Sequence, residues 1–309
     1  MKLLVTGGAG FVGSNLIARL EETGDHEIVV LDDESMGSRE AIADLDAGFV
    51  KGDIRDADVL DRIMPGVDAV VHLAADTRVI PSIENPAVNL DVNVNGTFEV
   101  LQAMRRHDVG TIVAASTGGA IMGEVEPPVH EQMVPSPGSP YGASKLAMEG
   151  YLSAFSTSYG MKCAALRFSN VYGPRSWHKG SVVAHFIKQI FKGEPLTVYG
   201  DGGQTRDYVF AEDLSDGIIQ AITSDATGAI QLGTGIGTPL NDIIDMLRDI
   251  SGKDFEVEYE PFRAGEVVFT YCDISHARET IGYSPDTGLR EGLEKTWNWF
   301  ADNREKLSI

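Results

Sequence analysis

Three glycines, Gly7, Gly10 and Gly13, stand three apart near the start of this chain, directly behind the apolar run Leu3-Leu4-Val5-Thr6 and ahead of a segment with helical periodicity. Glycine lets bare backbone approach a ligand, and a helix N-terminus offers free N–H groups and partial positive charge. Strand, glycine-rich turn and helix in that order predict a pyrophosphate seat, and with it a dinucleotide on a parallel sheet. The turn contacts expected are Gly7, Gly10, Phe11, Val12 and Gly13. The next apolar run ends in Leu31-Asp32-Asp33-Glu34. A carboxylate there accepts hydrogen bonds from an adenosine ribose and repels a 2′-phosphate, so NAD is expected rather than NADP. Asp32 is the first candidate for this role, with Asp33 either sharing it or solvated.

The first 170 residues alternate short β-rich runs with longer helical stretches, as in a parallel sheet covered on both faces. Candidate strands are Leu3 to Thr6, Ile28 to Leu31, Phe49 to Lys51, Ala69 to Leu73, Thr111 to Ala115 and Cys163 to Phe168. Helical periodicity marks Gly13 to Glu22, Ala57 to Met64, Val94 to His107 and Tyr141 to Tyr159. The expected fold class is α/β, a Rossmann-like doubly wound parallel sheet. After Gly173-Pro174 the pattern loosens, with helices near 182–192, 213–223 and 240–251 and a loop at Tyr199 to Gly203. Residues 1–170, with a later contribution from about 205–232, are read as the NAD-binding domain, and 171–309 as mainly a smaller, intertwined substrate domain.

Composition removes several other classes. A net charge of −21 argues against nucleic acid, whose phosphates are held by clustered Lys and Arg. No apolar run approaches the roughly 20 residues of a membrane span, and the N-terminus runs straight into the glycine turn without a signal-like segment, so a cytoplasmic protein is expected. The two cysteines, Cys163 and Cys272, and the seven histidines have no metal-site spacing.

In Tyr141-Gly142-Ala143-Ser144-Lys145, Tyr and Lys lie four residues apart, on one face of the expected helix. With the wide glycine spacing, this segment makes the chain resemble the extended short-chain dehydrogenase/reductases of the NAD-dependent sugar epimerase/dehydratase family, over nearly its whole length. The resemblance implies that Asp53 and Ile54 flank the adenine and that Leu73, Ala74 and Ala75 pass under the cofactor. It implies that Asn93 belongs to the cofactor site and supports the active-site strand, although a helix-capping Asn is the plainer reading. It also implies that Lys145 holds the nicotinamide ribose and lowers the pKa of Tyr141 from its ordinary ~10, so that Tyr141 serves as general base. The third catalytic member is expected at the end of the fifth strand, where Thr117 is chosen and Ser116 is the alternative. The segment Ser116 to Gly123 carries an extra glycine relative to the family pattern and has Met122 where Tyr is usual.

The two residues after Thr117 discriminate between reactions. Sugar-nucleotide 4,6-dehydratases carry an Asp-Glu pair there, because eliminating water needs an acid and a base; this chain has Gly118-Gly119. Oxidation followed by reduction from the other face remains. The expectation is therefore NAD-dependent C4 epimerisation of a UDP-sugar (glucose/galactose, N-acetylhexosamine or uronate), closest in pattern to UDP-glucose 4-epimerases. A dehydratase, decarboxylase or reductase of the same family, or a non-catalytic NAD-sensing regulator, is the alternative.

On the substrate side the resemblance assigns Asn170 to the sugar or diphosphate, Arg206 and Arg263 to a diphosphate clamp, and Glu266 to the nucleotide ribose. Thr270 falls where UDP-glucose 4-epimerases narrow the pocket with Tyr, so room for an acetamido group is one reading; Phe269 or Tyr271 refilling the space is the other. Arg175, His178 and Lys179 could meet a uronate carboxylate or form a solvated loop. The helices from Val94 and from Tyr141 pair with their copies in this family, implying a homodimer.

Overall fold

The structure is a computed structural model and describes residues 1–24, 26–262 and 268–307. Six strands lie where the apolar runs place them: β1 (Lys2–Thr6), β2 (Glu27–Asp32), β3 (Gly48–Lys51), β4 (Ala69–His72), β5 (Thr111–Thr117) and β6 (Lys162–Phe168). Short strands come next, β7 (Asn170–Tyr172), β8 (Leu196–Tyr199), β9 (Thr205–Arg206) and β10 (Tyr208–Phe210), before β11 (Gly228–Leu232) rejoins the main sheet. The order is β11-β6-β5-β4-β1-β2-β3, with every pair parallel. Thr6 pairs with both Leu31 and His72, so β1, β2 and β4 end together. Order reverses between β1 and β4, and a parallel sheet opens its ligand crevice at such a point, beyond the carboxyl ends of the strands.

Both faces of the sheet are apolar because both are covered. On one, α1 (Phe11–Thr23) buries Gly13, Leu16, Ile17 and Leu20, with 13 to 16 and 17, and 16 and 17 to 20, at the helical spacing of three to four. On the other lie α2 (Ala57–Ile63) and, beyond the short α3 (Val79–Glu84) and α4 (Pro86–Asn89), α5 (Gly96–Arg106) and α6 (Pro140–Tyr159). The turn leading into α5 is wound as a π-helix over Leu90–Asn95, so the helix expected from Val94 begins regular only at Gly96. The wider turn carries Asn93 inward, and the Thr97 hydroxyl donates back to the Asn93 carbonyl at 2.6 Å. Helix α6 starts where the Ser139 hydroxyl accepts from Gly142 N and Pro140 occupies the first turn; it stops at Gly160, φ +69°.

The later chain builds α7 (Val182–Lys192), α8 (Ala211–Thr223), the strand β12 (Thr238–Pro239), α9 (Leu240–Ser251), the strand β13 (Val257–Glu260), α10 (Ser275–Ile281) and α11 (Leu289–Asp302). Helix α8 lies with α1 on the first face of the main sheet, where Leu214, Ile218 and Ala221 join its core and Arg19 Nε donates to Asp216 at 2.7 Å. A separate core gathers Phe186, Ile187, Val198, Ile243, Leu247 and Phe300 from α7, β8, α9 and α11. The cleft runs between this core and the strand ends. No described helix is long and apolar enough to cross a membrane.

Candidate functional site

The cleft holds ≈ 1680 Å³, well beyond the ~300–1,000 Å³ of a site for one drug-sized ligand, so a dinucleotide and a second nucleotide have room together. At its phosphate end the loop is tight. Gly7 has φ +71°, and a Cβ on it would stand 2.6 Å from Ala74 N. A Cβ on Gly13 would lie 2.6 Å from Gly7 O. Gly7, Gly10, Phe11, Val12 and Gly13 all line the cleft, and the start of α1 faces into it. This is the cradle a pyrophosphate requires, and it fits NAD.

Asp32 closes β2 beside that loop, buried to 7 % exposure. Its Oδ2 accepts from Ala9 N at 3.0 Å and its Oδ1 from Glu34 N at 2.8 Å. Burial raises its pKa, and the two N–H groups oppose the rise. Asp33 is exposed and accepts from Ser35 N and Oγ at 2.9 and 2.6 Å. Both reach the cleft. Each oxygen of Asp32 keeps a lone pair for a ribose hydroxyl while it fixes the glycine loop. Asp53 and Ile54 also line the cleft, with Asp53 held below the ordinary carboxylate range by Arg55, which also bonds Asp91. Leu73, Ala74 and Ala75 form the floor.

Asn93 is 1 % exposed and braces the cleft from behind its lining. Its Oδ1 accepts from Asp76 N at 2.8 Å, while its Nδ2 donates to Asp76 O and to Ser144 Oγ, both at 2.9 Å. It ties the loop after β4 to α6, the helix that carries Tyr141 and Lys145.

Thr117 ends β5, and Tyr141 and Lys145 lie on α6; all three border the cleft. Thr117 stands close enough to Tyr141 to oppose the rise in its pKa, and Thr117 Oγ1 accepts from Ala120 N at 3.4 Å. The Ser116 hydroxyl is engaged elsewhere, donating to Glu149 Oε1 at 2.5 Å. Of the two candidate hydroxyls, Thr117 is the one beside Tyr141.

The electrostatics differ from the expectation. Burial, with Asp76 adding to it, pushes Tyr141 up to about 12 against the opposing effect of Thr117. Lys145 Nζ donates to Ala115 O at 2.7 Å, and burial pulls its pKa down to about 8. Desolvation of both groups outweighs any help the amine gives the phenol in this form of the protein.

On the opposite wall, Asn170 and Arg206 line the cleft as expected. Arg206 Nη1 donates to the carbonyls of Thr205 and Val268 at 3.0 and 3.2 Å. Arg263 and Glu266 lie outside the described residues. Thr270 pairs its N–H with Thr205 O at 3.1 Å and is not among the described residues that line the cleft. The expected cationic trio also divides. Arg175 donates to Asp44 at 3.0 and 2.8 Å and to Ala41 O. Burial, with Lys179 and Lys188 nearby, depresses His178 to about 4, so it is neutral at pH 7. Lys179 remains at the cleft.

Sequence reasoning missed several contributors. Asp76 and Arg78 form an ion pair at 2.6 Å on the cleft rim, just past the recognised Leu73-Ala74-Ala75. Gln204, 6 % exposed, borders the cleft; its Nε2 donates to Tyr199 O at 2.9 Å, and its buried Oε1 has no hydrogen-bond partner among the described residues. Glu149, one turn beyond Lys145, had a readable signal in that spacing. Its partner Arg167 was visible only as part of the segment leading to Asn170.

Comparison with known proteins agrees with this geometry. Residues 3–233 match the model of the NAD dependent epimerase/dehydratase family. A UDP-glucose 4-epimerase of Mycolicibacterium smegmatis is 36% identical over 316 residues, covering 99% of this chain and 100% of the relative. Among solved structures, a UDP-glucose 4-epimerase of Thermotoga maritima with UDP-glucose superposes with a TM-score of 0.93 at 36% identity, over 98% of this chain and 99% of that one. A UDP-glucose 4-epimerase of Thermus thermophilus in complex with NAD gives a TM-score of 0.90 at 37% identity, over 97% and 99%. With residues 3–233 matched by the family model and relatives at 36–37% identity over nearly the whole chain, the protein belongs to the NAD dependent epimerase/dehydratase family, and its cofactor is NAD.

Proposed function

We propose that this protein inverts C4 of a UDP-sugar by transient oxidation, and that its sugar is a neutral hexose. The carrying observation is Thr117, Tyr141 and Lys145 brought together at the cleft, with Thr117 followed by Gly118-Gly119, which has no side chain to eliminate water. Asp76 does not replace the missing acid, because Arg78 holds its carboxyl below the ordinary range and it offers no proton at neutral pH.

Gly7 and Gly10 to Gly13 would seat the pyrophosphate of NAD, Asp32 with Asp33 the adenosine ribose, Asp53 and Ile54 the adenine, and Lys145 the nicotinamide ribose. NAD, when bound, supplies the hydride acceptor and a positively charged ring. In the chain itself, Thr117 Oγ1 orients the sugar hydroxyl and Tyr141 Oη removes its proton, then gives it back after the sugar has turned. A phenol raised to about 12 is a poor donor of its own proton, so the ammonium of Lys145 is needed to support the phenolate. No net oxidation occurs, so NAD stays with the protein through each cycle. A regulator that only sensed NAD would need neither Tyr141 nor Lys145.

Arg206 and Asn170 would hold the diphosphate, with Arg263 beside them and Glu266 on the ribose. A neutral sugar is favoured over a uronate because His178 is uncharged and Arg175 is engaged by Asp44. The test is incubation with UDP-glucose, UDP-N-acetylglucosamine and UDP-glucuronate separately, without added NAD, with products identified by NMR. Epimerisation of a neutral UDP-hexose is expected. Turnover of none of the three, even with NAD supplied, sinks the reading.

A homodimer is part of the same proposal. Val79, Ile80, Ile83 and Leu90 are exposed beside α6, whose own exposed Ala143, Ala147, Gly150 and Ala154 would let a second helix approach closely. Ala147→Glu should shift the sedimenting species to a monomer.

A further inference from the structure

A buried ion pair beneath Lys145 takes no part in the proton transfer between Tyr141 and the sugar. Glu149 comes one turn after Lys145 on α6; its Oε1 accepts from Ser116 Oγ at 2.5 Å and Arg167 Nε at 2.9 Å, and its Oε2 from Arg167 Nη2 at 2.7 Å. The Glu149 and Arg167 side chains are only 10% and 4% exposed. Removing two charges from water costs about what a bidentate pair returns, so stability alone gives little reason for this arrangement.

Three segments meet on the one carboxylate. Ser116 sits between Ala115, whose carbonyl holds Lys145, and Thr117, which borders the cleft with Tyr141. Arg167 reaches it from β6, in register with Ser116. Charged and titratable groups approach Lys145 from every packed element. On its own helix these are Tyr141 and Glu149. From β4 comes His72, wholly buried, held to about 3 and neutral. From β6 comes Arg167, already paired, and from the loop after β4 comes Asp76, paired with Arg78 and acting on Tyr141. Glu149 is the anion that opposes the loss of the Lys145 proton on burial.

We propose that Glu149 is a positioning residue: clamped by Ser116 and Arg167, it fixes the end of β5 against α6 and supplies the countercharge that keeps Lys145 an ammonium beside Tyr141. The proposal rests on the epimerase reading, in which Lys145 acts as a cation. The sign is fixed by physics. Without the carboxylate, the folded-state pKa of Lys145 falls further, so its proton leaves at lower pH and activity on the alkaline side is lost earlier.

The test uses NAD-bound protein carrying lysine labelled with ¹³C at Cε, with the Lys145 signal assigned by its loss in Lys145→Met. Titration is monitored in wild type, in Glu149→Gln and in the double variant Glu149→Gln/Arg167→Leu. The double variant removes both charges, so it keeps a folded protein to read even where the single variant, with Arg167 left unpaired, unfolds. The Lys145 midpoint is expected to fall by about one pH unit in Glu149→Gln and by a smaller, still resolvable amount in the double variant, where loss of the Arg167 cation offsets part of the effect, with the alkaline limb of kcat moving with it. An unmoved midpoint and a wild-type pH profile in the double variant would show the pair to be a structural brace and overturn the proposal. If wild type epimerises no UDP-sugar, the epimerase reading falls, while the NMR titration still decides what Glu149 does to Lys145.

Discussion

The two walls of the cleft are built on different terms. On the catalytic wall, polar side chains are bonded to one another: Asn93 to Asp76 and Ser144, Ser144 to the Tyr141 carbonyl at 2.8 Å, Lys145 to Ala115, and Ser116 to Glu149. On the substrate wall, His178 Nδ1, Ser181 Oγ and Gln204 Oε1 are buried without a hydrogen-bond partner among the described residues. A buried polar atom without a partner costs roughly 1–3 kcal/mol, which a ligand recovers when it supplies one. The first wall is the more fully bonded of the two, although Arg167 Nη1 there is buried without a partner among the described residues, and on the second a bound ligand is expected to supply partners. Substitutions on the first should therefore appear in kcat or in stability, and those on the second in KM.

Tyr141→Phe puts the strongest strain on that distinction. Loss of the general base should lower kcat by about 10²–10⁴, with the shape of the protein unchanged. NAD released on denaturation, read by absorbance, should match wild type; a protein that has lost its NAD would mean that Tyr141 belongs to cofactor binding instead. Asn93→Ala comes next. It strips partners from Asp76 and Ser144 and should cost about 1–3 kcal/mol in urea unfolding. A loss within experimental error would show that the catalytic wall is not held together in this way. Gln204→Leu should have the smallest effect, raising KM for the UDP-sugar several-fold, about 1 kcal/mol, with kcat close to wild type. A fall in kcat with KM unchanged would erase the difference between the walls.

Much of the catalytic wall is legible in the sequence because its signals are local. The glycine spacing, the acid at the end of β2, the Tyr-Lys interval and the six apolar runs each lie within one element, and each falls in the expected place. The features that escape are tertiary. Strand β11 is only five residues long and carries Gln231, 0 % exposed, so the sequence points to a late contribution from about 205–232 without marking the strand itself. Asn93 lies in a π-wound turn that has no sequence pattern of its own, so its bonds to Asp76 and Ser144 are not legible in the chain. A lowered Tyr141 pKa is the natural inference from its neighbour's charge, whereas the depth at which both groups are buried decides the sign. The choice between Ser116 and Thr117 turns on Glu149, which lies 33 residues from Ser116.

The late arrival of β11 bears on how the molecule is made. As the chain leaves the ribosome, β6 is complete at Phe168 but has no neighbour on its outer side until Gly228–Leu232 has been synthesised. During that interval the cofactor half has an open edge, with Ala164, Leu166 and Phe168 presented in the register that β11 will occupy. Helix α8, which covers the same half, is also still unmade. A ribosome stalled between β6 and β11 therefore holds a nascent sheet able to accept a strand from another chain, and these roughly sixty residues of synthesis are the stretch over which a chaperone would matter most.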